Sequence, residues 1–156
     1  MIGFYDYTVI LTYMSLISAV AGMMLANGGA YGWAVVCLMA SGICDAFDGT
    51  VARTKKNRTE DEKAFGIQLD SLCDVVSFGV FPAFLSYCMG VKGVLGVAIL
   101  MAYCICAVIR LAFFNVLEAK RQKTETGAGH CYRGLPVTSI SIILPLVYLG
   151  TLFLSE

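Results

Sequence analysis

Four aspartates carry the chemistry legible in this chain. Asp45 and Asp48 lie three residues apart, Asp70 and Asp74 four apart, so each pair shares one face of a helix. Gly49 and Ala52 continue the face of Asp45, and Gly66 stands one turn before Asp70. An ionised Asp at the centre of an inserted helix costs about 2.5–3.5 kcal/mol. Four such groups brought close together also repel unless they are protonated or bridged by cations. Divalent metal is the simplest compensation, because hard cations take oxygen ligands and intramembrane carboxylates are retained for function. Two facing pairs suit a two-metal site. Such a site favours in-line displacement at phosphorus, where the leaving and attacking oxygens are both stabilised. Gly49, Ala52 and Gly66 are small enough for a bulky nucleotide to pass close to backbone. Arg53 follows directly, and its guanidinium fork matches phosphate oxygens.

These groups must be positioned by membrane helices. Hydrophobic residues make up 58% of the 156 and charged residues 14%, whereas a soluble domain carries about a quarter charged. Mean hydropathy is +0.77. Apolar runs at 8–26, 31–47, 72–90, 93–116 and 135–154 each approach the roughly 20 residues that span a bilayer as a helix. The expected fold is therefore all-α, a polytopic membrane bundle with five visible spans and a single domain over 1–156. The stretch 54–64 (TKKNRTEDEKA) is expected to be a polar connector between the second and third helices, and 118–132 a second such connector. Arg53, Lys55, Lys56, Arg58 and Lys63 cluster in or beside the first of these. Lys120, Arg121, Lys123 and Arg133 cluster in or beside the other. By the positive-inside rule both face the cytoplasm. The N-terminus and the carboxylates are then cytoplasmic too. The first span is a full helix without a basic n-region, so no secretory signal peptide is expected. The seven cysteines lie mostly inside spans and read as small buried hydrophobes, since Cys104 and Cys106 lack the partners of a zinc site. No nucleic-acid partner is expected.

The aspartate pattern resembles the signature of the CDP-alcohol phosphotransferase family. Asp45, Asp48, Gly49, Ala52, Arg53, Gly66, Asp70 and Asp74 occupy every fixed position of it. The spacer between Arg53 and Gly66 is longer than usual, at little cost in a polar loop. Residues 69–80 (LDSLCDVVSFGV), Arg110-Leu111-Ala112 with Phe114-Asn115, and Gly134-Leu135-Pro136 resemble the phosphatidylserine synthase branch. That branch usually has a basic residue where Phe113 stands, and its Asn-x-x-Thr in the first span appears here as Val9-Ile10-Leu11-Thr12.

The resemblance implies transfer of a phosphatidyl group from CDP-diacylglycerol to L-serine, giving phosphatidylserine and CMP. It implies two Mg²⁺ or Mn²⁺ ions on Asp45, Asp48, Asp70 and Asp74, with Asp74 also accepting the serine proton. Gly49, Ala52, Arg53 and Gly66 would border the nucleotide and diphosphate. Serine's carboxylate needs a cation, for which Arg110, the one base inside a span, and Arg133 are the candidates, and Ser77 is a further acceptor contact. The resemblance also implies a homodimer in membrane lipid. It generally brings six spans, so the chain is expected to be a short member or to lack a final helix. Two alternatives stay open: a sibling transferase using glycerol phosphate or inositol phosphate, and a divalent-cation transporter.

Overall fold

Among residues 8–52, 59–123 and 137–154, which the computed structural model describes, every regular element is a helix. The first two, α1 (Thr8–Asn27) and α2 (Tyr31–Ala52), form a hairpin. Its seam is polar at two points. The Ser15 and Ser41 hydroxyls lie 2.7 Å apart, and Ser18 Oγ donates to the Cys37 carbonyl at 2.9 Å. Such interhelical bonds average about 0.6 kcal/mol in a bilayer, and they fix the register of two otherwise apolar faces.

The polar connector ends earlier than expected. Thr59 Oγ1 accepts from the Glu62 N–H at 3.3 Å, and the Glu62 carboxylate accepts from the Thr59 N–H at 3.0 Å. This reciprocal cap satisfies two donors that a helix start leaves open. Helix α3 (Glu60–Asp74) therefore begins inside the stretch read as a loop.

It continues without a break through a π-helical turn, Val75–Val80, into α4 (Phe81–Cys88). The N–H of Val75 still reaches back four residues to Ser71, but that of Phe81 reaches back five, to Val76. Pro82 accounts for the change. In an α-helix its ring would crowd the carbonyl of Phe78, four residues earlier, and it has no N–H to offer that carbonyl. Phe78, Phe81, Pro82 and Leu85 of this rod are fully buried. Phe78, Phe81 and Leu85 make the core with Ala19, Ala26, Ala34, Val35 and Leu38 of the first hairpin.

The remaining elements are α5 (Val94–Lys123), a 3₁₀ turn (Val137–Ser139) and α6 (Ile140–Leu154). Four stretches are long and apolar enough to cross a bilayer: Val9–Asn27, Ala64–Cys88, Val94–Leu117 and Val137–Leu154. In α2 an apolar stretch, Tyr31–Phe47, holds Asp45 near its end. The chain is an integral membrane protein with the expected all-α architecture. The third crossing starts at Ala64 instead of 72, since Asp70 and Asp74 lie within a helix that the apolar run alone did not reveal. Of the described cysteines only Cys73 is buried, and Cys106 is exposed, because α5 turns much of its surface outward.

Candidate active site

Asp45 stands one turn beyond Ser41 and Gly42 on α2. Asp70 and Asp74 lie one turn apart at the end of α3. Across the two helices each of the three aspartates offers a carboxylate oxygen within 4.8 Å of the others. All three are half-buried. At 4.8 Å and an effective dielectric near 20, two unit charges repel by about 3.5 kcal/mol. The cluster is stable as three ionised groups only with compensating positive charge. Three hard oxygen donors converging at one depth fit Mg²⁺ or Mn²⁺ by ligand type. The same convergence argues against an ion path, which needs carboxylates staged through the membrane.

The surroundings of the cluster are shaped by two glycines. A Cβ on Gly42 would collide with Ser141 of α6, so glycine there lets the first turn of α6 approach α2 one turn from Asp45. At Gly66 an added Cβ would meet nothing within 4 Å. That face of α3, one turn before Asp70, is open among the described residues.

Helix α5 braces the same segment. Ser71 Oγ, beside Asp70, donates to Asn115 Oδ1 at 2.9 Å and also lies 3.0 Å from the Ile67 carbonyl. Farther along, Tyr103 OH donates to the Phe78 carbonyl at 2.6 Å, and Cys104 Sγ donates to the Gly79 carbonyl at 3.4 Å. Sequence reasoning did not foresee these braces. Pro82 was the available signal, because a proline inside a span leaves a carbonyl to be satisfied from outside the helix.

Arg110 is on α5, exposed beside the buried pair Ala107 and Leu111. Ser77 sits in the π turn, fully enclosed, with its hydroxyl lacking a hydrogen-bond partner among the described residues. Asp48, Gly49 and Ala52 are helical in α2, where only their backbone is described. Arg53 and Arg133 lie outside the described residues.

Known proteins resemble the chain over most of its length. The family model described as CDP-alcohol phosphatidyltransferase matches residues 7–155. The chain is 40% identical over 110 residues to a CDP-diacylglycerol–serine O-phosphatidyltransferase of Saccharomyces cerevisiae, covering 69% of this chain and 38% of that protein. It is 33% identical to an archaetidylserine synthase of Methanothermobacter thermautotrophicus, covering 92% of this chain and 58% of the relative. A CDP-diacylglycerol–serine O-phosphatidyltransferase of Helicobacter pylori J99 is 35% identical, with 82% and 52% covered. The chain thus spans about two fifths to three fifths of the length of these relatives. No solved structure matches it.

Proposed function

The chain belongs to the CDP-alcohol phosphatidyltransferase family, and from that membership we propose that it transfers the phosphatidyl group of CDP-diacylglycerol to the hydroxyl of L-serine, releasing CMP. The observation that carries this reading is the convergence of Asp45, Asp70 and Asp74 from two helices onto one point. The names of the yeast and Helicobacter relatives support serine as the acceptor.

In the proposed step the serine oxygen attacks the phosphorus that bears diacylglycerol. The new O–P bond forms as the bond to the CMP phosphate breaks, and the serine hydroxyl proton passes to the Asp74 carboxylate. An alcohol is a weak nucleophile near neutral pH, so a positioned base is needed. The charge of the departing CMP is assigned to Arg53, whose fork suits phosphate oxygens. Asp45, Asp48, Asp70 and Asp74 would hold divalent ions, Mg²⁺ or Mn²⁺, which would offset the diphosphate charge and polarise its P–O bonds. Arg110, with Arg133 as a second base, takes the serine carboxylate. Ser77 contributes to the acceptor only if serine enters the packed bundle. The basic residues around the polar connectors orient the site and the N-terminus to the cytoplasm. The exposed apolar flanks of α5 and α6 meet acyl chains and, in a homodimer, a second copy.

The deciding experiment measures CMP release by detergent-purified protein given CDP-diacylglycerol, Mn²⁺ or Mg²⁺ and a panel of alcohols. Release that requires serine is the expected result. Release with glycerol phosphate or inositol phosphate alone would keep the family and overturn the acceptor.

Gly66→Ala separates packing from passage. Alanine stabilises a helix interior by about 1 kcal/mol relative to glycine, and its methyl group would stand in open space. We expect a protein at least as stable as wild type whose KM for CDP-diacylglycerol rises about tenfold, the equivalent of 1.4 kcal/mol of lost binding. An unchanged KM would remove Gly66 from the nucleotide path.

A further inference from the structure

The rod α3–π–α4 must meet two demands at once. Its outer half is locked by the buried Phe81, Pro82 and Leu85, and its inner half must aim Asp70 and Asp74 at Asp45. The π turn between the halves holds one residue more than an α-helical turn would, and one residue is about 100° of helix rotation. Were Val75–Val80 to close into α-register with the core unmoved, Asp70 and Asp74 would swing away from Asp45 by about that angle.

Pro82 opens this turn, but removing an N–H does not by itself keep the turn in one geometry. The Phe78 carbonyl, denied its α-helical donor, takes the Tyr103 hydroxyl at 2.6 Å instead. The adjacent Gly79 carbonyl takes Cys104 Sγ at 3.4 Å. Consecutive side chains of α5 therefore hold consecutive carbonyls of the π turn. A carbonyl left without a donor in hydrocarbon costs several kcal/mol, so the pairing has a strong hold on the backbone.

From this geometry we infer that Tyr103 is a positioning residue for the carboxylate cluster: through the π turn it sets the rotation of Asp70 and Asp74 toward Asp45, and hence the affinity for divalent metal. The inference rests on the metal reading proposed above. Tyr103 bonds the Phe78 carbonyl and is not one of the clustered carboxylates.

The test is Mn²⁺ binding by the full chain in detergent, read from the electron paramagnetic resonance signal of free Mn²⁺, with thermal stability measured alongside. Tyr103→Phe removes the donor and nothing else. Its apparent Kd for Mn²⁺ should rise at least about tenfold, the usual loss when an outer support of a metal site is removed. Adding Pro82→Ala supplies an N–H for the Phe78 carbonyl in α-register. The Pro82→Ala/Tyr103→Phe protein should regain thermal stability yet bind Mn²⁺ no better than Tyr103→Phe alone. If Tyr103→Phe does not fold, the double variant decides: a stable protein with weak Mn²⁺ binding supports the inference. Wild-type affinity in Tyr103→Phe overturns it, as does a double variant that recovers affinity together with stability, since Tyr103 would then serve only as a carbonyl partner. A wild-type protein that takes up no Mn²⁺ overturns the metal reading and this inference together.

Discussion

Asp74→Asn should lower serine-dependent CMP release at least about 100-fold, the lower range of what a positioned general base contributes, while the protein stays folded and still binds CDP-diacylglycerol. The substitution keeps size and one oxygen acceptor, and it removes the charge to which the proposed mechanism assigns the serine proton. Asp74 is the last residue of α3, directly before the π turn, and shares the cluster with Asp45 and Asp70. It therefore has two candidate roles, ligand and base, and they respond differently to metal. A lost ligand is compensated by mass action, so raising Mn²⁺ would restore turnover. A lost base is not, and the deficit in kcat would persist at saturating Mn²⁺ and saturating serine. Persistence is the expected result. Recovery at high Mn²⁺ would confine Asp74 to metal binding and leave the proton acceptor to be sought elsewhere.

The aspartates were legible in the sequence because their spacing alone puts each pair on one helix face, and because charge inside an apolar run is conspicuous. The crossings were legible for the same reason in reverse, as long apolar runs. Three features escaped. The start of α3 was hidden by composition: residues 59–64 read as polar connector, although Thr59 and Glu62 have the spacing of a capping box. The π turn was hidden because hydrophobic periodicity in an all-round apolar rod does not register one extra residue, and only Pro82 hinted at it. The braces from Tyr103, Cys104 and Asn115 join residues 25 to 44 positions apart, a distance over which local patterns say nothing. All three concern how the carboxylates are held. In this chain composition and spacing mark the chemistry, whereas aiming depends on backbone carbonyls and on donors that reach them from another helix.

Withdrawing divalent metal should abolish turnover, by about 1000-fold or more. Charge neutralisation and polarisation by bound cations contribute several kcal/mol to such displacements, and each 1.36 kcal/mol is tenfold in rate. The carboxylate geometry adds a signature that does not depend on activity. Three oxygens within 4.8 Å repel one another in metal-free protein, so folding there works against the cluster, and bound metal reverses the sign. Mn²⁺ at about 100 times its Kd should stabilise the wild type by about 2.7 kcal/mol, visible as a rise in Tm. Asp70→Asn should be at least as stable as wild type without metal, because one of the repelling charges is gone, and should show little or no rise in Tm with Mn²⁺. The two effects together distinguish a metal site from a structural one. A structural aspartate that held the helices by hydrogen bonds would lose stability on conversion to Asn in the presence and absence of metal alike. That outcome, with the Mn²⁺ response intact, would mean that the convergence of Asp45, Asp70 and Asp74 serves packing, and it would take the chemical role of the cluster with it.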